Sequence, residues 1–251
     1  MKLLVNIGTD YHLNHLPHFL KHYTELGVER FLCGLHGSHL EEARQFLAGY
    51  PVEIMACFGA VSFVEVSRPH WKDHFNGFRR QHVQPDEWCL YADADELHEY
   101  PPGFLANLDP KINVVQGRWV ERLATKDGSL RPCWPTGNIG HQYPYGTREI
   151  FCGWRNKIMA TRGDLEVSLG YHDIIGGADT PAYHDQWLNV HHFRWDDRAQ
   201  AKYQDRLWTR DYNLSGGRVH KLRGIFYVDP PFPAQGAGNP LSTPDTGPSI
   251  R

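Results

Sequence analysis

Three carboxylates stand within four positions of the sequence, directly after an apolar stretch. The segment EWCLYADADELHEYP spans residues 87 to 101 and contains Asp93, Asp95 and Glu96. Carboxylates this close together raise one another's pKa unless a cation shares them. Hard divalent cations such as Mg²⁺ or Mn²⁺ supply that charge and usually keep coordination positions open for substrate phosphates. The spacing therefore predicts a site for Mn²⁺ or Mg²⁺, with a solvated acidic turn as the simpler alternative.

The sequence around the acidic segment predicts alternating strands and helices. Apolar runs predict strands at 2–7, 28–35, 52–58 and 87–92, with helical spacing after each of the first two and a less regular helix at 68–84. This order is typical of an α/β, Rossmann-like fold with a mostly parallel central sheet and helices on both faces. Ligands of such sheets bind beyond the carboxyl ends of the strands, where the acidic segment would lie. In extended backbone Asp93 and Asp95 would point to the same side.

The second half of the chain has a less regular pattern. Further strands are predicted at 112–124, 148–160, 166–174 and 187–193, a loop at 125–147, and a helix from Asp196. Ser38 and Glu41 are spaced as a capping box for the second helix. We expect one catalytic domain over residues 1–228, followed by a Pro- and Gly-rich tail at 229–251.

Composition narrows the possible partners. A net charge of −3 with mixed signs gives no basic field, so nucleic acid is not an expected partner. The sequence contains no run of about 18 apolar residues, which predicts no transmembrane segment and a cytoplasmic location, and leaves a peripheral membrane association open. The five cysteines form no Cys-x-x-Cys pair, so neither a disulfide framework nor a zinc knuckle is expected.

Three metal-dependent chemistries use an aspartate pair at a strand end. Haloacid dehalogenase-type phosphohydrolases expect Thr or Val two residues after the second aspartate, where this chain has Leu97. Two-metal enzymes on nucleic acid need a basic surface, which the composition does not offer. A nucleotide-sugar substrate fits better, because its diphosphate is small and already pairs with a divalent metal.

Four segments together carry a family resemblance. They are HYTELGVERF, WCLYADADELHEYP, RNKIMATRGDLEVSLGYHDI and LNVHHFRW, which fall in this order between residue 1 and about residue 210. In order and spacing they resemble family-2-like glycosyltransferases, in particular the branch related to family 92. The resemblance implies the glycosyltransferase A fold and an acidic motif that binds Mn²⁺ or Mg²⁺ with the diphosphate of a UDP- or GDP-sugar. One departure is that Gly8, Thr9 and Asp10 follow the first strand, where such sequences often carry Asn-Glu.

The resemblance also assigns roles to single residues. Asp93 would lie near the ribose and the metal, Asp95 would bind the metal directly, and Glu96 extends the motif. His192 matches the family's late histidine before an aromatic residue and is preferred to His191 as a metal ligand. Lys157 matches a family lysine that meets a phosphate.

Two residues compete for the role of general base. Transfer with inversion needs a group that takes the proton of the acceptor hydroxyl. Asp185 lies about as far past the acidic motif as the base does in related enzymes, and His172 is its rival. Arg79 and Arg80, on the helix before the acidic strand, are candidates to bind phosphate or to stack on the base.

The resulting prediction is a metal-dependent glycosyltransferase. It would move a sugar from a UDP- or GDP-sugar to a hydroxyl of a glycan or lipid-linked glycan, and the alternative is a non-catalytic domain that binds nucleotide or carbohydrate. Two other patterns are set aside. His15, His18 and His22 share one side of a helix without a further zinc ligand, and the triplet at 162–164 is a turn rather than an adhesion motif.

Overall fold

A computed structural model describes residues 1–58, 69–148, 156–199 and 226–227. Within these ranges the helices are α1 (Leu16–Glu25), α2 (Leu40–Leu47), α3 (Pro69–His82) and α4 (Ile139–Gln142), with a 3₁₀ turn at Leu105–Asn107. The strands are β1 (Lys2–Gly8), β2 (Arg30–His36), β3 (Val52–Phe58), β4 (Cys89–Asp93), β5 (Glu96–Glu99), β6 (Val114–Leu123), β7 (Tyr145–Thr147), β8 (Asn156–Thr161), β9 (Glu166–Val167), β10 (Ile174–Gly176), β11 (Leu188–His192) and β12 (Phe226–Tyr227).

The first four strands form the parallel part of a large sheet. Their spatial order is β3, β2, β1, β4, and the pairs β2–β3, β1–β2 and β1–β4 are all parallel. This is the arrangement of a Rossmann-like half. Strands β2 and β3 are added on one side of β1 and β4 on the other, so the strand order reverses between β1 and β4. A crevice at the carboxyl ends of β1 and β4 is the expected ligand position in such a sheet.

The second half of the chain extends this sheet with mainly antiparallel pairs. Strand β8 pairs antiparallel with β4 and with β6, and β7 continues the sheet beyond β6. Strand β11 lies parallel to β6 and antiparallel to β5. The result is a sheet of mixed parallel and antiparallel strands, in which residues from both halves of the chain meet near the end of β4.

Helices cover both faces of the parallel strands. Leu3, Val5 and Ile7 alternate with Leu4 along β1, so the two sets of side chains point to opposite faces. The first set packs in a cluster with residues of α1 and α2, and Leu4 packs with Phe75 of α3. The predicted α/β class with helices on both faces is confirmed.

Several predicted elements differ from the structure. The predicted capping box of Ser38 and Glu41 was wrong. Helix α2 begins after His39, whose side chain makes no capping hydrogen bond, and the capping groups come from the loop after β1. Thr9 Oγ1 accepts a hydrogen bond from the His39 amide, and Asp10 Oδ1 accepts one from the Ser38 amide. The start of α2 is therefore capped by side chains about 30 residues earlier in the chain and not by a local motif.

Other differences concern short strands. The predicted strand at 166–174 is a pair of short strands, β9 and β10, that pair antiparallel. Strand β5 was not predicted, because it is only four residues long and three of them are polar. The predicted loop at 125–147 contains α4 and β7. The helix predicted from Asp196 and the tail at 229–251 lie outside the described residues, apart from the first few residues of that helix. No helix in the part of the chain that the structure describes is long and apolar enough to cross a membrane.

Candidate functional site

The acidic turn connects β4 to β5 at the carboxyl ends of β1 and β4, where a sheet of this strand order is expected to bind ligands. Asp93 ends β4 and pairs in register with Asn6 of β1, and Glu96 begins β5. The turn is closed by a hydrogen bond of 3.0 Å from the Asp93 amide to Glu96 Oε2. The chain turns at Ala94 and Asp95 instead of staying extended, so the same-side geometry of an extended strand does not apply to Asp93 and Asp95. Asp93 and Glu96 share one cationic partner, and Asp95 has different neighbours.

Lys157 lies beneath the acidic turn as a buried cation. Its Nζ atom is 2.9 Å from Asp93 Oδ2 and 2.8 Å from the Glu96 carboxylate, and its side chain is fully buried. The rings of Trp119 and Tyr171 lie 5.8 Å and 5.0 Å from Nζ, within cation–π range. Lys157 thus replaces, for Asp93 and Glu96, part of the charge that a metal ion was expected to supply.

The pKa values in this cluster follow from burial and pairing. Burial opposes the charge on Lys157, yet Asp93 and Glu96 hold its pKa above the ordinary value. Burial also opposes the charge on Asp93, but Lys157 lowers the pKa of that carboxyl. Glu96 is fully buried, and burial raises its pKa. At neutral pH we therefore describe Lys157 and Asp93 as an ion pair, with Glu96 as its buried neighbour.

Asp95 faces two histidines instead of a lysine. Its Oδ2 atom lies 3.7 Å from His12 Nε2 and 3.7 Å from His192 Nε2, and all three side chains are buried. His12 Nδ1 accepts a hydrogen bond of 3.0 Å from the Gly8 amide, so the neutral ring carries its proton on Nε2. His12 is therefore placed to donate toward Asp95 rather than to bind a metal through Nε2.

His192 has the arrangement typical of a metal-binding histidine. Its Nδ1 atom lies 3.2 Å from Glu121 Oε2, and its Nε2 atom points toward Asp95. A carboxylate at one ring nitrogen fixes the ring and raises the basicity of the other nitrogen. Burial and Arg194 lower the pKa of His192, but the carboxylates of Glu121 and Asp95 raise it to about 9. The ring is therefore an imidazolium at neutral pH, and it would have to release its Nε2 proton to bind a metal ion.

The residues present fit an open metal site and not a closed one. Among the described residues no three His, Cys, Asp or Glu side chains converge closely enough to enclose an ion. Asp95 and His192 offer one carboxylate and one imidazole, and Asp93 is 34% exposed beside them. Mg²⁺ and Mn²⁺ commonly use few protein ligands together with substrate phosphates, so this donor set is compatible with either ion.

His172 lies close to the acidic turn, as its candidate role requires. Its ring centroid is 5.6 Å from that of Trp119, and Nδ1 lies 2.8 Å from the backbone oxygen of Asn156, which directly precedes Lys157. Burial, followed by the charge of Lys157, lowers the pKa of His172 to about 4. The imidazole is thus neutral at physiological pH.

Asp185 lies away from the acidic turn. It is an exposed residue in the loop before β11, whereas His192, which faces Asp95, ends that strand. The neighbouring Tyr183 forms a bridge with Val114, at the opposite end of β6 from Glu121. The structure therefore brings His172, and not Asp185, to the acidic turn.

The two arginines of α3 make structural contacts. Arg79 is buried and donates a hydrogen bond of 3.2 Å to the backbone oxygen of Leu165, and Arg80 forms an ion pair of 2.6 Å with Glu166. Both contacts attach α3 to the short strand β9 and its preceding loop. The structure does not bring these guanidinium groups to the acidic turn.

The histidines of α1 bind backbone oxygens. His15, His18 and His22 use Nε2 to contact the carbonyl oxygens of Phe193, Trp134 and His98, at distances of 2.7 to 3.1 Å. They attach α1 to three different segments of the chain. Arg162, in the turn at 162–164, contacts backbone oxygens including that of Ile112 at 2.9 Å.

Three residues of the site were not identified from the sequence. His12 lies just after β1, Glu121 is a buried carboxylate in β6, and Arg194 follows β11. Glu121 gave little signal in the sequence, because β6 also contains Gln116, Arg118 and Arg122. It accepts a hydrogen bond of 2.8 Å from Trp195 Nε1 in addition to its contact with His192.

Comparisons with known proteins give a similarity of fold only. No family model matches the chain, and no curated protein matches it. Among solved structures, the chain is similar to a protein assigned as a glucose-1-phosphate thymidylyltransferase from Bacillus anthracis, with 11% identity, 53% of this chain and 59% of that chain covered, and a TM-score of 0.33.

Two further structures show the same level of similarity. The inositol-1-phosphate CTP transferase from T. maritima is 15% identical over 52% of this chain and 59% of its own, with a TM-score of 0.31. HddC from Yersinia pseudotuberculosis is 8% identical over 80% of this chain and 96% of its own, with a TM-score of 0.36. The chain spans less than two thirds of the length of the thymidylyltransferase and the CTP transferase. At these TM-scores the similarities carry no conclusion about activity.

Proposed function

We propose that the protein is a metal-dependent glycosyltransferase that uses a nucleotide diphosphate sugar, UDP- or GDP-linked, as donor. The observation that carries the proposal is the position of the acidic turn, at the carboxyl ends of β1 and β4, with Asp95 facing His192. Carboxylates at this position suit a nucleotide diphosphate only with a cation between them, because both groups are negatively charged. The donor specificity and the acceptor glycan or lipid-linked glycan belong to the same proposal.

Asp95 and His192 would hold Mn²⁺ or Mg²⁺, with Asp93 beside them. When bound, such an ion neutralises charge that develops on the departing nucleoside diphosphate. Glu121 keeps the His192 ring oriented through its contact of 3.2 Å with Nδ1. Asp95 in turn is held by the two histidine rings, which limits its motion before a donor binds.

Arg194 is the cation that we assign to the diphosphate. It is half-buried, its guanidinium carbon lies 5.8 Å from the centroid of the Trp119 ring, and it is near enough to lower the pKa of His192. A guanidinium can donate two parallel hydrogen bonds to phosphate oxygens. Lys157 is a weaker candidate for this role, since its ammonium already binds two carboxylates.

His172 is the residue that we assign as general base for an inverting transfer. Its neutral imidazole can accept the proton of an acceptor hydroxyl, although the low pKa makes it a weak base. The resemblance favours inversion. Asp185 would need to move from the far end of β11 to act in the same step.

One observation favours the alternative, a non-catalytic domain that binds nucleotide or carbohydrate. Lys157 balances Asp93 and Glu96 within the protein, and such an arrangement maintains the acidic turn without a metal ion. In that case the site would bind a ligand and would release no nucleoside diphosphate. A measurement of nucleoside diphosphate release separates the two functions.

The test is nucleoside diphosphate release from a panel of UDP- and GDP-sugars, with MnCl₂ or EDTA and with a mixture of simple sugar acceptors. We expect release that requires the metal and falls by about 100-fold or more in Asp95→Asn, since removing a group that stabilises transition-state charge typically costs that much. Asp86→Asn is the matched control. Asp86 is exposed in the turn before β4, at the opposite end of the strand from the acidic turn, and its substitution should leave release unchanged.

Two outcomes would contradict the proposal. UDP binding without turnover on any donor would favour the binding domain. Equal activity of Asp95→Asn and Asp86→Asn would show that the acidic turn is not the site of reaction. Circular dichroism of both variants establishes that neither substitution acts by unfolding the protein.

A further inference from the structure

A cleft lies at the opposite end of β5 and β11 from the acidic turn. It has a volume of about 320 Å³ and is lined by residues of the carboxyl end of α1, the end of β5 and the start of β11. Glu99 pairs with Asn189 at this end, whereas Glu96 pairs with His192 at the other. Three residues of strand separate the two positions by about 10 Å. The volume is at the lower end of the range for small-molecule sites, about 300–1,000 Å³.

We propose that this cleft binds the ring of a neutral saccharide, at a site separate from the acidic turn. The first support is an exposed aromatic platform. Trp187 lines the cleft with 40% of its surface exposed, and the Arg118 guanidinium covers its ring at 4.8 Å from the centroid. An aromatic ring held in this way can pack against the apolar face of a sugar ring, a contact that buries large area at low entropic cost.

Fixed polar groups beside the platform match sugar hydroxyls. The Glu99 carboxylate accepts a hydrogen bond of 2.8 Å from Asn189 Nδ2 and lies 3.1 Å from His191 Nε2. The hydrogen bond from His191 is the main cause that lowers the pKa of Glu99 to about 2, so the carboxylate is ionised at neutral pH. An ionised carboxylate accepts hydrogen bonds and donates none, which suits the hydroxyl groups of a saccharide.

One nitrogen of a buried imidazole at the cleft lacks a hydrogen-bond partner among the described residues. His98 lines the cleft, its side chain is fully buried, and its Nε2 atom has no partner among the described residues. Its Nδ1 atom lies 3.3 Å from the Tyr100 hydroxyl. Buried polar groups are nearly always paired, and each exception points to a missing partner such as a ligand group or a water molecule.

The charged groups at the cleft are of both signs. Glu25 and Glu99 line it, while the guanidinium of Arg118 covers the aromatic platform and Arg148 donates a hydrogen bond of 2.9 Å to Asn189 Oδ1. Because carboxylates and guanidinium groups are both present, the cleft presents no field of a single sign, and a neutral sugar with both donors and acceptors suits it.

The test is isothermal titration of the full chain with glucose, galactose, N-acetylglucosamine, maltose, cellobiose and lactose. We expect at least one of these sugars to bind wild type. Trp187→Ala should weaken that binding by about tenfold, equivalent to about 1.4 kcal/mol, while Trp187→Phe retains most of it. Glu99→Gln should weaken it several-fold. Trp134→Ala is the matched control, because Trp134 is 62% exposed and lies outside the cleft.

Three results of this titration would overturn the proposal. Absence of binding by every sugar of the panel, or equal affinity in wild type and Trp187→Ala, would overturn the proposal. Displacement of the bound sugar by UDP with Mn²⁺ would also overturn it, because it would place the sugar at the acidic turn instead of in a separate cleft. No nucleotide sugar and no turnover enters the titration, so its result does not depend on whether the acidic turn transfers sugars.

Discussion

At the scale of single residues, Lys157 determines how the acidic motif can exist without a bound cation. Three carboxylates in four positions would repel one another, and burial of Glu96 would add a desolvation cost. The ammonium of Lys157 lies within 2.9 Å of two of these carboxylates and against two aromatic rings. Asp95 is the remaining carboxylate, and it lies 3.7 Å from His12 and from His192.

Removal of this cation should therefore destabilise the protein. We expect Lys157→Met to lower the free energy of unfolding by about 3 kcal/mol, because it leaves a buried carboxylate unpaired. Glu96→Gln retains an acceptor for Trp119 Nε1 without the charge, so Lys157→Met/Glu96→Gln should recover part of the loss. Urea denaturation at pH 7 compares the free energy of unfolding of the two variants with that of wild type. If Lys157→Met and wild type shared one unfolding midpoint, the ion pair would have no structural role.

At the scale of elements, helix α1 connects the acidic turn to the rest of the molecule through its histidines. His15 contacts the residue after His192, and His22 contacts the backbone of β5. Tyr23 of the same helix donates to the Glu96 carbonyl at 3.2 Å and accepts from the His98 amide. The helix thereby supports both ends of β5, one end at the acidic turn and the other at the cleft.

A pH dependence of stability follows from His22. Burial lowers the pKa of its imidazole from 6.5 to about 4. As the pH falls, the unfolded chain binds this proton before the folded protein does, so stability should decrease between about pH 6.5 and pH 4. His22→Gln keeps a donor for the His98 carbonyl but does not titrate. We expect it to reduce the loss of unfolding free energy between pH 7 and pH 4.5 by about 2 kcal/mol.

Chemical denaturation at the two pH values provides the measurement for His22. His39→Gln is the control, since the His39 side chain is 55% exposed, and its pH dependence should equal that of wild type. A His22→Gln protein that lost as much stability in acid as wild type would place the acid sensitivity elsewhere. His172, with a pKa of about 4, would then be the next residue to substitute.

At the scale of the whole molecule, the sheet depends on a close contact at Gly117. This residue of β6 pairs with Lys157 of β8 on one side and with Leu188 of β11 on the other. A Cβ atom there would meet the sulfur of Met159 and lie 2.7 Å from Val190 Cγ2, both of them buried. The packing of β6 between β8 and β11 therefore requires the absence of a side chain.

Two glycine substitutions should have opposite effects. We expect Gly117→Ala to lower the melting temperature, at a cost of about 1–3 kcal/mol, because the core must shift to admit the methyl group. Gly77→Ala, in α3, meets no atom within 4 Å and should stabilise the protein by up to about 1 kcal/mol through helix propensity. Thermal unfolding compares the two. A neutral Gly117→Ala would mean that β6 is more loosely packed than these distances indicate.

Local patterns in the sequence predicted most of the first half of the protein. Strands β1 to β4 and helices α1 to α3 lie close to the predicted positions, and Asp93 does end a strand of a parallel sheet. These features depend on apolar periods of two and 3.6 residues, which a single sequence displays. The acidic motif was found because its charges are adjacent in the chain.

Only the tertiary structure decided which residues surround the motif. Lys157 reaches Asp93 from 64 positions away, and β11 brings His192 to Asp95 by pairing with both β5 and β6. Such pairings depend on the register of strands that are distant in sequence, and no local period encodes that register. For the same reason Asp185, which has a suitable spacing along the chain, lies at the opposite end of β11. The sequence by itself determined the acidic turn and its sheet, and long-range strand pairing determined its partners.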